Sequence, residues 1–172
     1  MLASDESRTG TGLHQWSRRG FLIASLLTSA CALARAPTER QPRILFVCQY
    51  GTAKSAIARE VFRRRARERG IAVTAFSRGI TLEDHVSPQL RTRLNSDGID
   101  PGVEPARTLS ESDWRHADLV IVFNPLPNDA KPRDLRDWTD LPSFNEDYDH
   151  ARLVLDQRIE ALLDEIQKGA RK

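Results

Sequence analysis

The chain has 172 residues, of which 26 are Lys or Arg, 24 are Asp or Glu and 40% are hydrophobic. This length suits one domain that buries its own core, and the composition excludes a disordered chain, a collagen and a disulfide-rich scaffold. Residues 1–36 hold four Arg against one Asp and one Glu, so the rest of the chain carries 22 basic and 22 acidic residues. A neutral domain gives no support to a role in binding nucleic acid or a membrane surface.

Residues 1–36 are predicted to be an export signal. Residues 17–22 read S-R-R-G-F-L, and the uncharged apolar run Phe21–Ala34 has 14 residues, whereas a membrane span needs about 20. We therefore expect a signal peptide and no stable membrane span, with cleavage after Ala34-Arg35-Ala36 and before Pro37. The paired arginines resemble the twin-arginine signal, which implies the twin-arginine export machinery as a partner and a periplasmic or otherwise exported product.

A cysteine inside this segment raises a second possibility. The sequence L-T-S-A-C at residues 27–31 resembles a lipoprotein cleavage box, and a lipid on Cys31 would tether the product to a membrane. A third interpretation is an arginine pair that precedes a buried helix by chance. The mass of the mature protein distinguishes these three possibilities, because a mature chain that begins at an unmodified Pro37 excludes the lipid.

Residues 37–172 are predicted to form one domain in which strands and helices alternate. Ser87 is the expected N-cap of the second helix and Pro88 its first residue, while the four prolines of Asn124–Asn145 predict a loop-rich segment. The alternation predicts a mainly parallel sheet covered on both faces, with ligands at the carboxyl ends of its strands. The predicted strands are Arg43–Val47, Ile71–Phe76 and Leu119–Phe123, and the predicted helices are Ser55–Arg69, Ser87–Asn95 and a last helix with the apolar stripe Leu155, Ile159, Leu162 and Ile166.

The junction between the first strand and the first helix is the most informative segment. It reads C-Q-Y-G-T-A-K-S over residues 48–55. Backbone N–H groups of such a loop can converge on an anion, and the helix dipole favours negative charge at the same place. This field, the Lys54 ammonium and the Ser55 hydroxyl all favour the thiolate form of Cys48. The sequence therefore predicts a site for a tetrahedral oxyanion with a nucleophile beneath it.

This junction resembles that of the low-molecular-weight protein tyrosine phosphatases and of the arsenate reductases that share their fold. Their signature is an apolar strand followed by Cys, five residues, Arg and Ser. The resemblance runs across nearly all of Arg43–Gln167 and includes Ser77-Arg78-Gly79, where the family often has Ser-Ala-Gly. It implies a single α/β domain whose four-stranded, mainly parallel sheet carries helices on both faces.

The resemblance also implies roles for individual residues. In that family the Cys attacks phosphorus to form a phosphocysteine, the loop amides and the Arg hold the phosphate oxygens, and an Asp beside a Pro protonates the leaving phenolate. Carried over by position, Cys48 is the nucleophile, Lys54 supplies the positive charge and Asp140 is the candidate general acid. The residues implied to hold the phosphate are Gln49, Tyr50, Gly51, Thr52, Ala53 and Ser55.

Three positions depart from the family pattern. Lys54 replaces the Arg, which keeps the charge but loses the two-pronged grip on phosphate. Gly51 replaces a common Asn, and Leu141 stands directly before Pro142, where the family expects the Asp. Because removing one stabilising donor from an anionic transition state costs about 10²–10³ in rate in other enzymes, we expect impaired rather than abolished turnover.

Three functions fit these residues. The favoured hypothesis is an exported hydrolase of aryl or protein phosphotyrosine esters, with Tyr50, and Trp138 or Tyr148, as candidate walls for the aromatic leaving group. The second is a non-catalytic domain that binds an oxyanion or a protein partner, which the three departures favour. The third is an arsenate reductase that uses an external thiol, because no cysteine follows Cys48.

Two further groups of residues carry no predicted function. His85, His116 and His150 lack metal-ligand spacing, and no Cys/His set suggests zinc, so no metal or cofactor is expected. The arginine run over residues 63–69 has no interleaved aromatic residue and is predicted to be a solvated helix face.

Overall fold

Strands and helices alternate throughout residues 40–169, the part of the chain that the computed structural model describes. The predicted export signal, the cleavage site before Pro37 and the candidate lipidation site Cys31 lie outside the described residues. No helix within residues 40–169 is both long enough and apolar enough to cross a bilayer. The strands are β1 (Arg43–Cys48), β2 (Thr74–Gly79), β3 (Leu119–Val122) and β4 (Leu135–Asp137), and the helices are α1 (Lys54–Glu68), α2 (Pro88–Ser96), α3 (Glu111–His116) and α4 (Tyr148–Gly169).

The four strands form one sheet in the order β2-β1-β3-β4, and every neighbouring pair is parallel. The predicted four-stranded α/β architecture is therefore confirmed. β1 lies in the middle, with Cys48 opposite Gly79 of β2 and Val47 opposite Val122 of β3. Since β2 and β3 lie on opposite sides of β1, the carboxyl end of β1 is the switch point at which open α/β sheets bind their ligands.

Both faces of the sheet are covered, as predicted. Side chains alternate along β1, so Ile44, Phe46 and Cys48 pack into a core shared with α1, α2 and α4, while Leu45 and Val47 pack into a second core with residues of α3. All five side chains are at least 96% buried. Burial of each large apolar side chain stabilises the fold by about 1.5–3 kcal/mol, which holds the end of β1 in a fixed place.

The predicted second helix is confirmed, whereas the second strand was predicted three residues too early. Ser87 caps α2 by accepting a hydrogen bond from the Leu90 N–H, and Pro88 is the first helical residue. The apolar Ile71 ends α1 instead of starting β2, because its N–H donates to the Ala66 carbonyl across Gly70, which has a φ of +64°. This is the helix-ending arrangement in which an apolar residue follows a left-handed glycine.

Two short elements were absent from the prediction. The strand β4 lies inside the segment predicted as loop, and its Leu135 is 48% exposed. The helix α3 is fixed by a capping box, in which the Ser110 N–H donates to the Asp113 carboxylate. A Ser followed by Asp three residues later is a sequence signal for such a start, so α3 was within reach of sequence analysis.

A buried arginine fastens α1 to β2. Arg59 is 1% exposed, and its guanidinium donates to the Ser77 hydroxyl at 2.9 Å, the Pro101 carbonyl at 3.0 Å and the Glu60 carboxylate at 2.7 Å. A buried charge with three acceptors resists displacement, because moving it leaves those groups unpaired. α1 is therefore held rigidly relative to the sheet.

Candidate active site

The sulfur of Cys48 lies at the carboxyl end of β1 and is contacted by two hydrogen-bonding groups. The Gly51 N–H donates to it at 3.2 Å, and the Ser55 hydroxyl oxygen lies 3.0 Å away. Ser55 is fully buried in the first turn of α1 and is also 3.3 Å from the Arg78 carbonyl. Because a hydroxyl has one proton to donate, Ser55 can donate to a Cys48 thiolate, or to the Arg78 carbonyl when Cys48 is a thiol.

The backbone between Cys48 and α1 presents a series of free N–H groups. The Gln49 N–H donates to the Asn124 side-chain oxygen at 2.9 Å, and that of Gly51 reaches the sulfur. The following groups have no acceptor among residues 40–169: the N–H groups of Tyr50, Thr52, Ala53, Lys54 and Ser55. Consecutive free N–H groups at the start of a helix can bind an anion. Of the predicted cradle residues, Gly51 and Ser55 contact the sulfur, and Gln49, Tyr50 and Ala53 line the cavity beside it, whereas Thr52 lines a different cavity.

The loop is held against the segment that follows β2. Gly51 has a φ of +75°, which glycine adopts without strain, so the replacement of the family's Asn leaves this backbone shape available. The Thr81 N–H donates to the Gln49 carbonyl at 2.8 Å, and the Thr52 hydroxyl donates to the Glu83 carbonyl at 2.8 Å. These bonds fix the loop at both of its ends.

A cavity of about 200 Å³ opens beside Cys48. Tyr50 and His85 pack against each other in its wall, with ring centroids 4.5 Å apart and ring planes tilted by 38°. Trp138 instead packs in the core against Phe46, and Tyr148 belongs to α4, where its hydroxyl donates to Asp97. Of the predicted aromatic walls, only Tyr50 lines the cavity. The full lining is Cys48, Gln49, Tyr50, Ala53, Lys54, His85, Asn124, Ser143, Phe144 and Asn145.

Sequence analysis missed five of these lining residues, and one of the five joins two walls of the cavity. The Asn145 amide donates to the His85 carbonyl at 2.8 Å and accepts from the Ser87 N–H at 3.1 Å. It thereby links the loop before α4 to the loop before α2. Only Asn124 carried a usable signal, because it directly follows the predicted strand Leu119–Phe123, at the edge where ligands bind.

Lys54 is the first residue of α1, and its ammonium is directed to the opposite loop. Its Nζ donates to the Leu141 carbonyl at 2.5 Å. Burial lowers the pKa of Lys54 below the ordinary value of 10.5, against the opposing charges of Cys48, Glu146 and Asp140, which raise it. A less basic ammonium gives up its proton more readily than an exposed lysine does.

Asp140, the candidate general acid, is bound in an ion pair. Arg158 of α4 donates two hydrogen bonds to its carboxylate, at 2.8 and 2.6 Å, and the same guanidinium lies over the Trp138 ring. These bonds lower the pKa of Asp140 and favour its ionised form. Its side chain is 72% exposed and is not among the groups that line the cavity, while the Leu141 side chain fills the core at 2% exposure.

The comparison with protein families matches this part of the chain. A model described as low molecular weight phosphotyrosine protein phosphatase matches residues 43–132, slightly more than half of the chain. The chain belongs to the low molecular weight phosphotyrosine protein phosphatase family. The match contains the loop from Cys48 to Ser55 and ends before Asp140. The matched residues therefore include the phosphate loop, residues 48–55, but not the acid loop, residues 138–142. Among curated proteins, none matches the chain.

The fold of this chain is similar to that of several solved structures, which include low molecular weight phosphatases. YfkJ from Bacillus subtilis is 21% identical with a TM-score of 0.64, over 76% of this chain and 97% of YfkJ. A low molecular weight protein tyrosine phosphatase from T. tengcongensis is 19% identical with a TM-score of 0.54, over 75% and 99% of the two chains. A thioredoxin-dependent arsenate reductase from Corynebacterium glutamicum is 20% identical with a TM-score of 0.55, over 77% and 65%. At these identities the likeness shows the fold alone.

Proposed function

We propose that this protein is an exported phosphatase that hydrolyses aryl or protein phosphotyrosine esters through a phosphocysteine on Cys48. The observation that carries the proposal is the arrangement around one sulfur atom. Gly51 and Ser55 place hydrogen-bonding groups beside that sulfur. Five free N–H groups lie between Tyr50 and Ser55, in the loop and the first turn of α1. Family membership supports a reaction of this class.

The arrangement fits both halves of the reaction. The Cys48 thiolate attacks phosphorus, the bond from phosphorus to the ester oxygen breaks, and the oxygen leaves with its electron pair. The free N–H groups stabilise the negative oxygens of the phosphoryl group, which is the largest contribution in many enzymes. Water then attacks the phosphocysteine and the electron pair returns to sulfur, where the Ser55 hydroxyl can stabilise the thiolate.

The same site supports slow rather than fast turnover. Lys54 offers a single ammonium in place of a planar fork, and this ammonium already donates to the Leu141 carbonyl. Asp140 can protonate a leaving group only after it leaves Arg158. We therefore propose a phosphatase with reduced activity, in which Tyr50 and His85 contact the aromatic part of the substrate.

A second candidate is a non-catalytic domain that binds phosphate or a phosphoprotein. It is favoured by the two contacts that already occupy the Lys54 ammonium, on the Leu141 carbonyl, and the Asp140 carboxylate, on Arg158. Arsenate reduction is a third candidate on the same loop. It needs an external thiol to release arsenic from Cys48, since the sequence has no later cysteine.

Hydrolysis by the purified full-length chain separates these candidates. The phosphatase predicts release of p-nitrophenol from p-nitrophenyl phosphate that disappears in Cys48→Ser. The first release of p-nitrophenol, before the phosphocysteine is hydrolysed, should be about tenfold faster in Lys54→Arg, because the arginine restores the two-pronged grip. The binding domain predicts no turnover, while phosphate still protects Cys48 from iodoacetamide. The reductase predicts reduction of arsenate only when a thiol such as glutathione is added.

Export is a separate proposal that rests on residues 17–36. We propose that the twin-arginine machinery carries the folded domain out of the cytoplasm and that cleavage leaves Pro37 at the amino terminus. Replacing Arg18 and Arg19 by Lys should keep the protein in the cytoplasmic fraction with an uncleaved mass. A lipid on Cys31 would instead give a longer, membrane-bound product.

A further inference from the structure

We propose that Lys54 is the proton donor for the leaving group and the proton acceptor for the water that releases the phosphocysteine. This inference rests on the proposed function and adds a catalytic role to a residue that family resemblance treats only as a positive charge. It is carried by the cavity that Lys54 and Cys48 line together and by the hydrogen bond from Lys54 to the Leu141 carbonyl.

In this protein, the loop in which the family has its acidic residue is contacted by the ammonium of Lys54 instead. Leu141 stands directly before Pro142, its side chain is buried in the core, and its carbonyl accepts from Lys54 Nζ at 2.5 Å. Lys54 and Cys48 line the same cavity. The Lys54 side chain therefore extends from the end of the phosphate loop (residues 48–55) to the acid loop (residues 138–142). An arginine in this position could not exchange a proton, because its guanidinium stays protonated in proteins.

The other titratable groups near Lys54 are less suited to this step. Asp140 is held in its ionised form by Arg158, and Glu146, which also acts on the ammonium, is not among the lining residues. Tyr50 and His85 line the cavity and pack against each other through their tilted rings, which places them to contact an aromatic ring.

The electrostatics of the site support a proton transfer by Lys54. Burial lowers its pKa below 10.5, and the charges of Cys48, Glu146 and Asp140 limit that decrease. A general acid is most effective when its pKa lies near the working pH. Lys54 is shifted in that direction, whereas an exposed lysine is too basic to serve.

The proton balance closes over one turnover. As Cys48 attacks phosphorus, the ester bond breaks and the leaving oxygen takes a proton from Lys54, which becomes a neutral amine. The amine then accepts a proton from the attacking water. The oxygen of that water bonds to phosphorus, the electron pair of the sulfur–phosphorus bond returns to Cys48, and phosphate leaves. Both residues are restored to their starting states.

The test is a comparison of two leaving groups in wild type and Lys54→Arg. p-Nitrophenolate leaves without a proton, whereas phenolate is basic enough to need one. In rapid-quench measurements of the first step, in which the leaving group departs, we expect Lys54→Arg to keep or raise the rate on p-nitrophenyl phosphate and to lower the rate on phenyl phosphate by at least about tenfold. Hydrolysis of the phosphocysteine is common to both esters, so Lys54→Arg should slow it equally for both. The wild-type rate on phenyl phosphate should also fall at alkaline pH as Lys54 loses its proton, and this decrease should be absent in the variant.

Matched variants identify other donors. A loss of first-step rate on phenyl phosphate alone in His85→Gln or Asp140→Asn assigns the proton to that residue and overturns the inference. Equal effects of Lys54→Arg on the first step of both substrates would overturn it as well. If Lys54→Arg does not fold, rescue of Lys54→Ala on phenyl phosphate by added ethylamine replaces it, and no rescue counts against the inference. A wild type that hydrolyses neither ester contradicts the proposed function itself.

Discussion

A Cβ atom added to Gly51 would lie 2.9 Å from the backbone nitrogen of Gly79, and one added to Gly79 would lie 2.8 Å from the backbone nitrogen of Gly51. The phosphate loop and the end of β2 therefore touch through backbone alone. Real side chains do not tolerate such distances, and neither partner is a flexible side chain that could move aside. The position of the loop above the sheet depends on both residues being glycine.

Replacing Gly51 by alanine tests this contact against a matched glycine. Gly51 and Gly70 have φ values of +75° and +64°, but nothing lies within 4 Å of the position that a Cβ on Gly70 would take. We expect Gly70→Ala to cost about 1–2 kcal/mol of unfolding free energy from backbone strain alone. Gly51→Ala should cost more and should also weaken phosphate binding, measured by denaturant unfolding and calorimetry. Equal losses of stability with phosphate affinity intact would contradict the contact.

The Ser55 hydroxyl should matter most for the release of the phosphocysteine. Hydrogen bonds to charged groups contribute about 1.5–3 kcal/mol, so Ser55→Ala should slow turnover by about tenfold to a hundredfold and let the phosphocysteine accumulate. Rapid-quench measurement with a burst analysis reports that accumulation. Ser143→Ala is the control, because Ser143 lines the cavity without a hydrogen bond to the sulfur. A burst of the same size in both variants would exclude the role of Ser55.

Asn145 should control the shape of the cavity entrance rather than the chemistry. Asn145→Ala removes two hydrogen bonds between loops, to His85 and from Ser87, each contributing about 0.5–1.5 kcal/mol. We expect a higher KM for aryl phosphates with a small change in kcat, and faster amide exchange over residues 80–87. Asn95→Ala, on the exposed face of α2, provides the comparison and should change neither quantity.

The Asp140–Arg158 pair should make a pH-dependent contribution to stability. Because the pair lowers the pKa of Asp140 from 3.8, its contribution is complete above that value and is lost as the pH falls through the lowered value. The stability difference between wild type and Arg158→Gln should therefore shrink on acidification and in high salt. Arg136→Gln, which breaks the pair between Arg136 of β4 and Glu165 of α4, is the control. It should leave the titration of Asp140, followed by NMR, unchanged.

The parts of the site that sequence analysis found are those whose determinants are local. The apolar run of β1, Cys48, the glycine in the loop and Ser55 at the start of α1 all lie within thirteen consecutive residues, 43–55. Their types alone specify a buried strand, a left-handed turn and a helix start. No distant contact is needed to predict that a thiol and free N–H groups converge there.

The residues that were missed come together only through tertiary structure. His85, Asn124 and Asn145 belong to three different loops, and their meeting depends on the order β2-β1-β3 and on the Asn145 bridge. The strand β4 was missed because its three residues lack an apolar pattern and pair only with β3. The partners of Lys54 and Asp140 were equally out of reach, since Leu141 and Arg158 show no pattern that indicates a contact.

The buried guanidinium of Arg59 limits how the site can change during turnover. Since it fastens α1 to Ser77 of β2 and to the Pro101 carbonyl, the helix cannot pivot to carry Lys54 between the Leu141 carbonyl and a phosphorylated substrate. That exchange must occur by torsional rotation of one lysine side chain from a stationary backbone. Such rotations take picoseconds to nanoseconds in exposed residues, and even loop motions take only nanoseconds to microseconds. The rotation of the half-buried Lys54 should therefore not set the pace of the enzyme.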